Sequence, residues 1–178
     1  MILKIVISVG VLIALVVVLA ALKPRTFRIQ RSIRIDAAPD RVFPLINDLH
    51  NWARWAPQDR EDSSMKRTYS GSAIGVGAVS DWTGSGSSGR GRMLITESEP
   101  LQRITVQVDW VKPFVTRNVN EFVLQAEENS TKVTWTMNGP NLLIMRLTSI
   151  FVNMDRMMGK HFEAGLANMK EVIENGPE

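Results

Sequence analysis

The sequence predicts an α+β domain, an antiparallel sheet packed on one face by helices, preceded by one membrane-spanning helix. Three observations indicate this class. Strand-like segments follow one another with short polar turns, a long amphipathic segment closes the chain, and an uncharged apolar stretch opens it. Strands that are grouped together, with helices at the ends, are typical of α+β domains rather than alternating α/β folds.

Composition narrows the possible functions. The chain has 178 residues, of which 44% are hydrophobic and 22% charged, as expected for one globular domain with an apolar segment. The formal net charge is only +3 and no dense run of Lys or Arg occurs, so nucleic-acid binding is not predicted. The sequence has no cysteine, which excludes disulfides, a thiol nucleophile and cysteine-based metal sites.

The N-terminal apolar stretch predicts a retained membrane anchor. Residues 5–22 carry no charge, and as a helix they are about 27 Å long, close to the hydrocarbon thickness of a bilayer. The alternative is a cleaved secretory signal with Lys4 as its basic flank. The apolar run is long for a signal, and its end offers no clean small-residue cleavage site. We therefore expect an anchor over 1–23 and a folded domain over 24–178.

Basic residues flanking the anchor predict its orientation. Lys23, Arg25, Arg28 and Arg31 follow the apolar stretch, whereas Lys4 alone precedes it. The positive-inside rule then places the folded domain on the cytoplasmic face, as a single-pass membrane protein.

The folded domain is predicted to begin with a strand and a pair of short helices. Apolar and polar residues alternate through most of 27–35, which is the period of a strand. Pro39 is suited to the first position of a helix. The segment 50–57 predicts a short helix or turn that brings Trp52 and Trp55 together.

Consecutive strand-like runs separated by turn residues predict an antiparallel meander. Their short polar connections are typical of neighbouring antiparallel strands. The runs cover residues 65–70, 78–83, 93–97, 103–111, 116–125 and 132–137.

The C-terminal segment predicts a single long helix over 142–174. Its apolar residues recur at steps of three and four, which gives one buried stripe. The stripe consists of positions 147, 151, 154, 158, 162, 166, 169 and 173. The sequence Asn175-Gly176-Pro177 is an expected helix stop.

The order of these elements, with the residues that form them, resembles the START-like or SRPBCC superfamily, in particular its bacterial polyketide cyclase/dehydrase-like and lipid-transport branch. The resemblance covers nearly the whole chain after residue 25. The segments that carry it are RSIRIDAAPDRVFPLINDLHNWARWAP at 31–57, YSG at 69–71, GVGAVSDWTG at 75–84, GRGRMLITESEP at 89–100, VDWVKPF at 108–114, TKVTWTMNGP at 131–140 and NMDRMMGKHFEAGLANMK at 153–170.

The resemblance implies a helix-grip fold, in which a curved antiparallel sheet of about seven strands wraps around the long C-terminal helix and leaves an apolar cavity between them. Members of this superfamily bind lipids, sterols, hormones or polyketides, and some act on them as enzymes. A fold of this kind does not by itself imply one activity.

Strand alternation predicts which side chains face that cavity. Together with the two tryptophans of segment 50–57 and the start of the C-terminal stripe, they form a mostly apolar wall with polar groups at one end, as in small-ligand sites. The candidate ligand-binding residues are Trp52, Trp55, Ser80, Trp82, Trp110, Asn118, Asn120, Phe122, Trp135, Met137, Phe151, Met154 and Met158. The alternative is plain core packing, in which these side chains fill the space themselves.

Known catalytic and cofactor patterns do not fit the sequence. Residues 84–89 match G-x-G-x-x-G, but a strand-like run follows instead of a helix, so we interpret them as a hairpin loop. His50 and His161 lack partners at metal-ligand spacing, and His161 is expected on the helix surface. No G-x-S-x-G motif occurs. The sequence therefore predicts no catalytic residue, no cofactor and no metal.

The leading functional hypothesis is a membrane-tethered protein that binds a hydrophobic small molecule, such as a lipid or a polyketide-like compound. Two alternatives are retained. One is an enzyme of the polyketide cyclase or dehydratase type, and the other is an interaction module with a filled core. An ionisable group inside the cavity would favour the enzyme, and a cavity too small for a ligand would favour the interaction module.

Overall fold

A computed structural model of the chain describes residues 1–150 and 152–176, apart from the side chain of Ser87. Seven strands lie within these residues and form a single antiparallel sheet in the order β1-β7-β6-β5-β4-β3-β2. The strands are β1 (Thr26–Ile35), β2 (Lys66–Gly71), β3 (Ala78–Thr83), β4 (Arg90–Glu99), β5 (Arg103–Lys112), β6 (Thr116–Glu127) and β7 (Ser130–Pro140). The predicted meander is confirmed, because β2 to β7 pair in sequence order and β1 joins beside β7.

Five α-helices lie in the described part of the chain, at both ends and between the first two strands. They are α1 (Ile2–Leu22), α2 (Pro39–Asn47), α3 (Pro57–Glu61), α4 (Leu143–Thr148) and α5 (Met154–Glu174). Pro39 opens α2 as expected, and a 3₁₀ helix over Leu49–Arg54 holds Trp52. This arrangement is the predicted α+β helix-grip fold.

The prediction of one continuous C-terminal helix over 142–174 is wrong. Residues 149–153 separate α4 from α5. Asn153 is the N-cap of α5, and its side chain accepts a hydrogen bond from the backbone N–H of Arg156 at 2.9 Å. Such a cap satisfies one of the free amides at a helix start, so the local chemistry favours a new helix here despite the continuous apolar spacing.

The main core fills the space between the sheet, α2 and α5. Its buried side chains all lie between Ile29 and Ile173, so the domain packs its core without α1. An aromatic cluster occupies the centre, where the Trp135 ring stacks on Phe162 with centroids 4.1 Å apart and an interplanar angle of 3°. Phe122, the neighbour of Trp135 on β6, also stacks on Trp135 with centroids 5.1 Å apart. These contacts fix α5 against β6 and β7.

Helix α1 is long and apolar enough to cross a membrane, by its length and composition. Apart from Ala20, its apolar side chains are largely exposed. It leads into the end of the sheet where β1 starts, since Thr26 pairs with Pro140 at the end of β7. Because β6 runs antiparallel to β7, the start of β6 lies at this same end. The end of β5 lies beside it, since Trp110 pairs with Thr116. We call it the α1 end of the sheet.

Candidate ligand-binding cavity

A cavity of about 490 Å³ lies between the sheet and the first half of α5. Its wall is mostly apolar, and Phe27, Phe114 and Met145 place its mouth at the α1 end of the sheet. Ligand pockets in proteins are typically about 300–1,000 Å³ and mostly apolar with a few polar groups. The cavity therefore has the size and lining of a small-ligand site.

Many of the residues predicted to face a ligand do line this cavity. They are Trp52, Trp82, Trp110, Asn118, Asn120, Trp135, Met137 and Met158. Strand alternation brings the six of them that lie on β3, β5, β6 and β7 to one face of the sheet. Trp52 and Met158 come from the 3₁₀ helix and from α5. Their role in binding a ligand stays a prediction.

Gly91 makes room for two tryptophans in the cavity wall, Trp82 and Trp110. Gly91 pairs with Trp82 on one side and with Trp110 on the other. A Cβ at this position would overlap both the Trp82 ring and the backbone oxygen of Asp109. Without it, the two indoles meet edge to face with centroids 5.1 Å apart. A small residue on β4 therefore leaves the room in which both rings pack.

Four of the predicted residues do not line the cavity. Trp55 and Phe122 are fully buried behind the wall, where the Trp55 indole donates to the backbone oxygen of Leu45 at 2.8 Å. Ser80 is buried and is a partner of Arg67. Met154 is half-buried in the first turn of α5 and lies before the part of the helix that lines the cavity, which begins at Met157. Phe151 lies outside the described residues.

The wall also includes residues outside the predicted ligand-binding set, although Val108 and Phe162 are on the strand face and helix stripe that were expected to point inward. They are Phe27, Ala56, Pro57, Gln58, Arg67, Met93, Val108, Pro113, Phe114, Thr116, Met145, Met157, His161 and Phe162. For Arg67 a signal existed, since it pairs directly with the inward-facing Trp82 and so shares its side of the sheet. An arginine on the inner face of a sheet is unusual. The strand pattern does not show which carboxylate pairs with it.

The polar end of the cavity is built around a buried ion pair between Arg67 and Asp59. Arg67 Nε donates to Asp59 Oδ1 and Nη2 donates to Oδ2, both at 2.6 Å. The two side chains are only 8% and 7% exposed. Arg67 Nη1 also donates to Ser80 Oγ at 3.1 Å. The bidentate contact compensates both charges, so this end of the cavity is polar without a net charge.

Other polar groups at the wall are also uncharged. Asn120 Oδ1 accepts a hydrogen bond from the Trp135 indole at 2.9 Å. Asn118 Oδ1 is buried and has no hydrogen-bond partner within the described residues. Burial lowers the pKa of His161 below its ordinary value of 6.5, and the Glu61 carboxylate offsets part of this effect. His161 is therefore neutral at physiological pH.

The lowered pKa of His161 predicts a pH-dependent stability. Its folded-state pKa lies below the unfolded value, so the unfolded chain binds a proton first as the pH falls below about 6.5. Stability is thus lost in that window as pH falls. Wild type is expected to lose more free energy of unfolding than His161→Gln between about pH 7.5 and about pH 5.5, measured by urea denaturation. A difference between the two proteins that does not change with pH would contradict this assignment.

Two carboxylates of α5 pair with an arginine of β1 and not with the cavity wall. Asp155 pairs with Arg31 at 3.0 Å, and Glu163 pairs with the same guanidinium at 2.8 Å. Asp155 is therefore directed toward β1 and is not a wall residue of the cavity. Among the described residues, no group of three or more His, Asp or Glu side chains is arranged to hold a metal ion.

A curved antiparallel sheet that grips a long C-terminal helix, with an apolar cavity between the two, defines a helix-grip protein. Residues 26–174 match the model of the family described as polyketide cyclase / dehydrase and lipid transport. The chain belongs to this family.

Solved structures with the same fold share little sequence with the chain. Protein CV1439 from Chromobacterium violaceum is 15% identical with a TM-score of 0.59, and the match covers 88% of this chain and 100% of that one. The Aha1 dimer from Colwellia psychrerythraea is 20% identical with a TM-score of 0.57, covering 85% and 99%. Ara h 8.0201 is 10% identical with a TM-score of 0.59, covering 84% and 99%. No curated protein matches the chain by sequence.

Proposed function

We propose that the chain is a membrane-tethered binding protein for a hydrophobic, uncharged small molecule, such as a neutral lipid or a polyketide-like compound. The observation that carries this proposal is the cavity of about 490 Å³. Its wall is mostly apolar, and its polar end is formed by the Arg67–Asp59 ion pair, in which the two charges compensate each other. The family description, which names lipid transport beside polyketide cyclase and dehydrase, supports the same ligand class.

The charges at the cavity wall favour a neutral ligand. A carboxylate or phosphate in this cavity would lose its hydration, and Arg67 already has both Asp59 oxygens as partners. An ion buried without a partner is costly, whereas a carbonyl or hydroxyl oxygen can accept from the remaining guanidinium N–H groups. The ligand class is therefore an apolar molecule that carries a few hydrogen-bonding oxygens.

The proposal assigns the anchor to residues 1–23 and the binding domain to residues 24–178. Helix α1 has the length and composition for one membrane span. By the positive-inside rule, the basic residues after it favour the cytoplasmic face for the domain. A tether of this kind suits a ligand that resides in the bilayer, since capture then requires no diffusion through water.

Native mass spectrometry of the domain from Arg25 onward, purified without detergent, tests the proposal. We expect a stoichiometric hydrophobic molecule to co-purify, and an organic extract of the same sample identifies its class. A clean apo mass, with no uptake from a mixture of neutral lipids, would refute ligand binding and favour an interaction module.

Filling the cavity is expected to abolish binding of a hydrophobic probe. Val108 is buried at the wall on β5, so Val108→Trp places an indole in the space for a ligand. We expect the affinity for Nile red, a neutral solvatochromic dye, to fall at least about tenfold, which corresponds to about 1.4 kcal/mol. Fluorescence titration measures this change.

The matched control places the same side chain outside the cavity. Val119 is exposed on β6, beside the wall residues Asn118 and Asn120 but on the opposite face of the sheet. Val119→Trp should therefore leave Nile red affinity unchanged. Equal binding by both variants would show that the dye binds elsewhere than in the cavity.

The second candidate function is an enzyme of the cyclase or dehydratase type. The observation that favours it is His161, a group at the cavity wall that is neutral at physiological pH. A neutral imidazole is a competent general base. If this candidate is correct, the molecule extracted from the wild-type domain is converted over time, and His161→Gln binds it without converting it. A ligand that stays unchanged on the wild-type domain favours the binding protein.

A further inference from the structure

Exposed apolar side chains surround the mouth of the cavity. They come from three separate segments: Phe114 and Val115 in the β5–β6 turn, Leu143 and Ile144 on α4, and Met157 on α5. We call these five residues the mouth rim. Val115 is 81% exposed. Water-exposed apolar clusters of this kind mark surfaces that are covered by a partner or a membrane.

Hydrogen bonds hold α4, which carries two of the five mouth-rim residues, next to the end of α1. Lys23 Nζ, directly after α1, donates to the backbone oxygen of Ser149 at 2.8 Å, and Arg146 on α4 donates to the backbone oxygen of Ala20 at 3.4 Å. The backbone N–H of Asn141 donates to the oxygen of Arg25 at 2.7 Å. Helix α4 is therefore attached directly to the last turn of α1 and to the connection into β1.

The short connection between α1 and β1 keeps the cavity mouth close to the surroundings of α1. Helix α1 ends at Leu22 and β1 starts at Thr26. Even a fully extended chain spans at most about 14 Å between them. The headgroup region of one leaflet is about 5–8 Å thick. If α1 crosses a bilayer, the α1 end of the sheet cannot move away from its surface.

Basic residues border the mouth rim. Lys112 lies just before the β5–β6 turn, while Arg156 and Lys160 flank Met157 on α5, and all three are exposed. None of them has an ion-pair partner within the described part of the chain. Apolar side chains combined with basic neighbours are the composition of surfaces that bind anionic membranes.

We infer that the mouth rim inserts into the bilayer that holds α1, so that the cavity opens into the boundary between headgroups and acyl chains. The inference rests on the membrane tether of the proposed function. The occupant of this surface is the lipid surface itself, because the rim is continuous with the end of α1 and carries a complementary charge. A hydrophobic molecule then passes between bilayer and cavity without crossing water.

The absence of natural cysteines permits a direct test on the full chain. Val115→Cys, labelled with the environment-sensitive dye NBD, is reconstituted into phosphatidylcholine–phosphatidylglycerol vesicles. We expect a blue-shifted emission that loses most of its intensity when the vesicles contain lipids with a doxyl quencher near the headgroup. The matched control is Ile74→Cys, an apolar residue that is 60% exposed at the opposite end of the sheet. Its emission should remain that of a label in water.

Further labels separate the possible failures. Val11→Cys, in the middle of α1, should be quenched by doxyl groups deep in the acyl chains. Quenching at Val11 with unquenched Val115 overturns the inference and leaves the tether intact. An unquenched Val11 overturns both. The mass spectrometry of the isolated domain reports independently on ligand uptake, so an empty cavity refutes the proposed ligand without affecting the insertion of the rim.

Discussion

Removing the guanidinium with Arg67→Ala is expected to destabilise the domain by about 3–5 kcal/mol, since it leaves the Asp59 carboxylate buried without a partner. Both side chains of the pair are less than one tenth exposed, at 8% and 7%. Ser80 Oγ also loses its donor. Urea denaturation of the domain from Arg25 onward measures the free energy of unfolding.

An exposed ion pair provides the control for this prediction. Arg92 and Asp81 are joined at 2.7 Å on the outer face of the sheet, with side chains 57% and 38% exposed. Because water screens such a pair, Arg92→Ala should cost only about 0.2–1 kcal/mol. Equal losses for Arg67→Ala and Arg92→Ala would show that the Arg67–Asp59 pair is not buried as described. Asp59→Asn, which leaves the Arg67 charge unpaired, should be destabilising as well.

Replacing the central indole with Trp135→Ala is expected to cost about 3–5 kcal/mol, as for other large-to-small changes of buried aromatic residues. The substitution removes the stacking on Phe162 at 4.1 Å and on Phe122 at 5.1 Å. It also leaves Asn120 Oδ1 without its donor. Since these contacts join α5 to the sheet, the loss reports on how strongly the sheet holds the helix.

Trp135→Phe separates ring packing from the hydrogen bond. Phenylalanine keeps an aromatic ring next to Phe122 and Phe162 but lacks the indole N–H that donates to Asn120 Oδ1. We expect a smaller loss of about 1–3 kcal/mol, the cost of a buried acceptor without a partner. If Trp135→Phe were as destabilising as Trp135→Ala, the hydrogen bond to Asn120, and not the stacking, would dominate this part of the core. Thermal and urea unfolding of both variants decide the matter.

Much of the fold could be predicted because it follows from the local periodicity of polar and apolar residues. Most strands of the meander alternate polar and apolar side chains, and Pro39 starts α2 where a proline is favoured. The C-terminal segment is the exception. Its apolar spacing continues across the interruption at 149–153, but spacing does not report on capping. The hydrogen bond from the Arg156 amide to Asn153 begins a second helix there.

The sequence by itself determined the α+β class, the apolar N-terminal helix and the tryptophan- and methionine-rich inner face of the sheet, because side-chain period follows from backbone geometry. The tertiary structure alone decided which inward residues reach open space. Trp55 and Phe122 lie behind the wall, while His161 lines the cavity. It also decided the chemistry of the polar end. Arg67 lies on β2 and Asp59 lies on α3. The periodicity of the sequence does not show how these two elements pack, so the pairing of the two side chains is visible only in the folded structure.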